Sequence, residues 1–166
     1  MLTDHIESKA ERVLKESRVG RLPVPVEKIA ARHNILIRRA RHTDFSGILI
    51  RKDGRALIGV NSSEAAARQR FTIAHELGHF FLHTRKAAFV DYRDNRSGVA
   101  RTPREREANS FAAALLMPRR RLLRDFRTLG KKTLSADDLQ NLARRYGVSD
   151  DAMRFRLINL SLISPA

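Results

Sequence analysis

Thr72-Ile73-Ala74-His75-Glu76-Leu77-Gly78-His79-Phe80 is the stretch from which the rest of this chain is read. It contains His75-Glu76-x-x-His79, the zinc-protease motif, and the spacing has a physical cause. Residues four apart stand one above the other on a helix, so both imidazoles reach one metal ion. Glu76 is turned roughly 100° from His75, which lets it touch a water beside the ion without ligating. Phe71, Ile73, Ala74, Leu77, Phe80 and Phe81 cover much of the helix circumference. A central, buried helix from about Glu64 to His83 follows. Two structural histidines on a core helix are the plain alternative, but a core has no evident use for Glu76 between them, because a buried carboxylate needs compensation.

Two ligands do not complete a catalytic zinc site, which takes three protein groups and keeps one position open. His83 continues the series 75, 79, 83 but lies roughly 12 Å along the axis from His75, too far to share an ion. It is expected to pack or hydrogen-bond at the helix end. The extended zincin pattern, with Gly at 82 and His at 85, is absent, since Leu82 and Arg85 stand there. The third ligand is therefore expected to be a carboxylate from a second element. Glu107, in a helix read from Pro103 to Met117, is the best candidate, with Phe111 and Ala114 on its flank. Glu105 is the rival, roughly 200° around the same helix, so only one of the two faces the ion. Asp91 and Asp94 are weaker rivals on a loop.

Outward from the motif, Leu2 to Ser17 and Val26 to His33 read as helices by apolar spacing. Ile35 to Ile37, Phe45 to Ile50 and Ala56 to Val60 read as short strands. Lys52-Asp53-Gly54-Arg55 joins the last two as a hairpin, because Asp-Gly tolerates the positive φ of a tight turn. Asn61 and Glu64 have capping-box spacing for the motif helix. The polar segment Thr84 to Thr102 reads as a loop over the site. Arg119 to Phe126, Ala136 to Tyr146 and Asp150 to Leu160 read as further helices, with Ser135 and Ser149 as caps and Gly147 as the break between the last two. That pair has a helix-turn-helix outline, but two helices closing a domain look the same. The acidic start Asp150-Asp151 repels phosphate, which weighs against DNA reading.

The 166 residues suit one compact domain with at most a small appendage. Cysteine is absent, which excludes disulfides, thiol nucleophiles and thiolate metal sites. No stretch approaches a membrane span and the N-terminus lacks a signal peptide's apolar region, so a cytoplasmic protein is expected. Lys and Arg number 33 against 18 Asp and Glu, a formal charge of +15. Such a charge attracts nucleic acid or an acidic partner without saying which.

Several segments together resemble the ImmA/IrrE family of metallopeptidases. They are Arg70-Phe71-Thr72-Ile73-Ala74 before the motif, Glu105-Arg106-Glu107-Ala108-Asn109-Ser110-Phe111-Ala112-Ala113-Ala114-Leu115-Leu116-Met117-Pro118, the hairpin end Ile58-Gly59-Val60-Asn61, and Leu142 to Ser149. The likeness covers roughly residues 5 to 160. It implies an α+β, zincin-like fold, in which a small, partly antiparallel sheet with a hairpin packs on the His75–His79 helix. Residues 1–130 would form the peptidase domain and 131–166 a helix-turn-helix-like helical extension packed on it. The resemblance also implies His75, His79 and Glu107 as metal ligands and Glu76 as the catalytic base. Zn2+ suits that set, and Mn2+ or Fe2+ fit similar nitrogen and oxygen donors.

The activity implied is cleavage of a specific intracellular protein, commonly a helix-turn-helix transcription repressor. The chain begins directly with the peptidase region, so it is expected to act through a separate partner, and direct nucleic-acid contact is not required. Tyr92, Arg93 and Arg101 are candidate oxyanion donors, and Asn109 a candidate brace for a ligand. A non-cutting repressor-binding protein, a nucleic-acid-binding regulator and a toxin-like relative are the competing readings. Glu76 argues against the first, because metal binding alone does not need it.

Overall fold

A computed structural model describes residues 2–84, 88–92, 102–130 and 134–165, with the backbone alone at 2, 3 and 89–92. Among the described residues the chain forms helices α1 (Leu2–Glu16) and α2 (Val26–Arg32), then strands β1 (Ile35–Ala40), β2 (Phe45–Lys52) and β3 (Arg55–Asn61). These are followed by α3 (Ala66–Leu82), β4 (Ala88–Tyr92), α4 (Pro103–Leu116), α5 (Arg119–Thr128), α6 (Ala136–Tyr146) and α7 (Asp150–Asn159). The fold is mixed α/β, a small sheet packed among helices.

The four strands lie in the order β1-β3-β2-β4. β1 runs parallel to β3, with Ile35 beside Ala56. β2 and β3 form the expected antiparallel hairpin, with Leu49 opposite Ile58. Asp53 and Gly54 both take positive φ, 51° and 73°, as a two-residue hairpin turn requires. Ala56, Ile58 and Val60 alternate along β3 and are buried, with Leu49 beside them from β2. This face packs toward α3, while Leu36 and Ile50 stay exposed on the other. The period of two thus selects which face of the sheet meets the central helix.

α3 is buried without interruption from Thr72 to His79, as its all-round apolar sequence predicts. Its start differs from expectation. The N-cap is Ala65, with no side-chain cap bond. Asn61 is buried and serves two loops instead. Its Oδ1 accepts from the backbone N–H of His42 and Ser63, and its Nδ2 donates to the carbonyls of His42 and Phe45. A buried amide must satisfy both its donors and its acceptor, and these loops supply the partners. Glu64 turns to accept from the Ser46 hydroxyl at 2.8 Å.

The segment read as a polar loop after α3 contains β4, which pairs antiparallel with β2 through Ile48 opposite Val90. The exposed edge of β2 provided a template that local polarity could not reveal. At the far end, the expected cap Ser135 forms a capping box with Asp138, and α6 stops at Gly147 with φ +65°. Leu139, Leu142, Tyr146, Met153 and Leu157 of α6 and α7 join the same hydrophobic core as α1 and α4. No described helix is long and apolar enough to cross a membrane.

Candidate metal centre

α3 and α4 pack closely because of one small residue. A Cβ on Gly78 would stand 3.0 Å from both the Cα and the carbonyl oxygen of Ala108, and 3.3 Å from the Phe111 Cβ. Glycine there lets the two backbones approach, and the contact sets the rotation of α4. With Ala108 over Gly78, Glu105 and Asn109, four residues apart, share the flank of α4 beside that contact, and both meet His75. Thr102 caps α4, its hydroxyl accepting the Glu105 N–H at 3.2 Å, and Pro103 opens the helix. Glu105 therefore sits in the first turn, where the helix dipole favours a carboxylate.

The side chains of His75, His79 and Glu105 converge, each offering one ligand atom, with all of these within 4.8 Å of one another. The two Nε2 atoms are 3.1 Å apart. Glu105 Oε2 lies 3.0 Å from His75 Nε2, and Oε1 lies 3.4 Å from His79 Nε2. Tetrahedral zinc, with ligand bonds of about 2.0–2.2 Å, spaces neighbouring ligand atoms by about 3.3 Å, so the spacing fits. The hydrogen bonds fit as well. Asn109 Oδ1 lies 2.8 Å from His75 Nδ1, and an amide oxygen only accepts, so His75 carries its hydrogen on Nδ1 and turns the Nε2 lone pair to the cluster.

Electrostatics point the same way. The close contacts of His75, then His79, hold the Glu105 carboxyl well below the usual carboxylate range. Burial, the largest influence on His79, pushes that imidazole below its ordinary value, against the pull of Glu105. An ionised carboxylate beside the neutral imidazole of His79 is the protonation state of a metal-ligand set.

Glu76 is fully buried beside the cluster on α3, and β2 crosses close over it. A Cβ on Gly47 would fall 2.4 Å from Thr72 Cγ2 and 2.9 Å from Glu76 Oε1. Glycine at that point of the strand leaves the room that Thr72 and Glu76 occupy. Arg51, also on β2, donates to the carbonyls of His79, Phe80 and His83 at 3.1, 2.6 and 2.9 Å. It thereby closes the C-terminal end of α3, whose last carbonyls lack helical partners.

The carboxylate that the structure brings to the two histidines is not the one the sequence reading favoured. Glu107 does not join His75 and His79, and Glu105 stands in its place. Glu107 Oε2 is instead 2.9 Å from His83 Nε2, and His83 Nδ1 is 2.9 Å from His79 Nδ1. The cause is the rotation of α4 set by Ala108 on Gly78, which the chain's own periodicity does not specify because both flanks of α4 are buried. A signal was present: Asn109, read as a brace for a ligand, is four residues after Glu105, so the two share a face. Of the other candidates, Arg93, Asp94 and Arg101 lie outside the described residues. Asp91 and Tyr92 lie in β4, where the backbone alone is described.

The sequence pattern of the IrrE N-terminal-like domain (Peptidase_M78) matches residues 30–158. The metallopeptidase ImmA of Bacillus subtilis (strain 168) is 40% identical over 58 residues, which are 35% of this chain and 33% of that protein. The chain thus matches about a third of that relative's length.

Proposed function

The chain belongs to the ImmA/IrrE family of metallopeptidases, and from that premise we propose that it is a metal-dependent endopeptidase. His75, His79 and Glu105 would hold one divalent ion, most suitably Zn2+. The observation that carries this is the convergence of two imidazole nitrogens and an ionised carboxylate beside the buried Glu76. When bound, the ion supplies Lewis acidity, which polarises a scissile carbonyl and acidifies a water. The chain's own residues do the rest. The Glu76 carboxylate takes a proton from the attacking water and passes it to the departing amide nitrogen. Asn109 holds the ring of His75, and Gly47 keeps the β2 backbone clear of Glu76.

The proposed substrate is a helix-turn-helix transcription repressor in the same cytoplasm, cut at one site. In this reading residues 1–130 are the catalytic unit and 131–166 a helical extension packed on it. Elemental analysis of purified protein tests the centre. Near one equivalent of metal is expected in the wild type and little in His79→Ala or Glu105→Ala. Incubation with candidate repressors from the same genome tests the activity. Wild-type protein should release two fragments and Glu76→Gln none. Cleavage at the wild-type rate by Glu76→Gln would overturn the mechanism.

A further inference from the structure

His79 and its neighbours continue beyond the three converging side chains. His79 Nδ1 meets His83 Nδ1 at 2.9 Å, and His83 Nε2 meets Glu107 Oε2 at 2.9 Å. The His83 side chain is 7% exposed and that of Glu107 28%. The helix supplies the geometry, since histidines four apart on α3 lie one turn above another, and the ring centroids of His79 and His83 are 5.1 Å apart. α4 supplies both carboxylates. Glu105 and Glu107 are two residues apart and roughly 200° around the helix, so one meets the converging nitrogens and the other meets His83. Arg51 holds the carbonyls of His79 and His83 and so fixes the turn that carries both rings.

Only one arrangement of hydrogens in this chain leaves His79 neutral with a lone pair at Nε2, the atom that faces His75 and Glu105. Nδ1 of His79 must then carry the hydrogen and donate it. His83 Nδ1 must accept, so His83 carries its own hydrogen on Nε2. Glu107, as a carboxylate, can only accept, and it takes that hydrogen. A neutral group able to donate at position 107 would let His83 switch tautomer and present a hydrogen to His79, which would turn the His79 Nε2 lone pair away from the cluster or break the contact.

We infer that His83 and Glu107 form a proton-ordering relay that fixes His79 in the Nδ1–H tautomer and orients its Nε2 for metal. Both are positioning residues. This rests on the reading of His79 as a ligand. The two histidines of the motif are then held by unlike acceptors, His75 by the neutral amide of Asn109 and His79 by a carboxylate at one remove. A carboxylate acting through an imidazole makes the ligating nitrogen more basic, and losing such support costs about 10–100-fold in metal affinity or activity.

The test uses the full chain and Zn2+ alone. Affinity is measured by competition with a chelator, and imidazole tautomers by 15N-resolved NMR of the metal-free protein. Glu107→Gln should weaken Zn2+ binding by about tenfold and turn His79 from a single Nδ1–H tautomer into a mixture. Unchanged affinity with the tautomer intact would overturn the relay while leaving the metal site standing. A wild-type chain that binds no Zn2+ would overturn both. Should Glu107→Gln fail to fold, His83→Leu is read in the same way. His83→Gln then provides the rescue, because its amide oxygen can accept from His79 Nδ1. Recovery of most of the affinity supports the relay, and no recovery over His83→Leu counts against it, since packing alone predicts none.

Discussion

Arg156 on α7 and Glu105 on α4 each lodge a charged group between helices, and they are completed in opposite ways. The Arg156 guanidinium donates through Nε and Nη2 to the carbonyl of Met117, at 3.2 and 3.1 Å, and through Nη1 and Nη2 to the two carboxylate oxygens of Glu7 on α1. Donors meet acceptors, positive meets negative, and the chain finishes the cluster by itself. At Glu105 the converging atoms are an ionised carboxylate and two imidazole nitrogens, and burial pushes the His79 imidazole toward its neutral form. In the proposed reading that cluster is completed by a cation. The first arrangement braces helices and the second is proposed to receive an ion, although both lie between helices and both join elements distant in sequence.

The largest expected break in this contrast is chemical. Glu76→Gln should lower cleavage by about 10²–10⁴-fold and leave metal content unchanged in elemental analysis, which would separate catalysis from binding within the receiving cluster. Next in size is the brace. Arg156→Leu leaves Glu7 without its partner and should cost about 3–5 kcal/mol of stability in a denaturant titration. Glu105→Gln in metal-free protein should cost far less, and an equal loss would mean that the site too is a brace.

Metal removal sharpens the comparison further. Zn2+ at a hundred times its dissociation constant should stabilise the wild type by about 2.7 kcal/mol. Chelator should reverse the gain, Glu105→Gln should abolish it, and Arg156→Leu should retain it from a lower baseline. Gly78→Ala tests the contact that joins α3 to α4. Its Cβ meets the Ala108 backbone at 3.0 Å, and overpacking should cost about 1–3 kcal/mol with a parallel loss of Zn2+ affinity, because Glu105 rides on the displaced helix. The smallest effect is Ser135→Ala, which removes the α6 cap. About 1 kcal/mol is expected from thermal melts, with Zn2+ affinity unchanged.

Some of this was legible in particular residues. Asp53-Gly54 announced the hairpin because few other dipeptides accept two successive positive φ values. Ser135 with Asp138 and the later Gly147 marked both ends of α6, since capping depends on residues a few positions apart. Other features escaped. β4 was hidden in a segment whose polarity read as loop, and it exists as a strand through pairing with β2. Asn61 had the spacing of a helix cap, yet its burial gave it partners in two loops.

What the sequence by itself determined is the motif and its consequences on one helix. His75, Glu76 and His79 stand in a spacing that places two imidazoles one above the other, whatever surrounds them. Helix periodicity also placed Glu105 and Glu107 on opposite flanks of one helix. Which flank meets the histidines was decided only in the tertiary structure. The choice depends on the rotation of α4 about its axis, and that rotation follows from Ala108 seating on Gly78. A contact between residues 30 apart is a matter of packing between two surfaces, and no period within either helix encodes it. The same contact that brings Glu105 to the converging nitrogens sends Glu107 to His83.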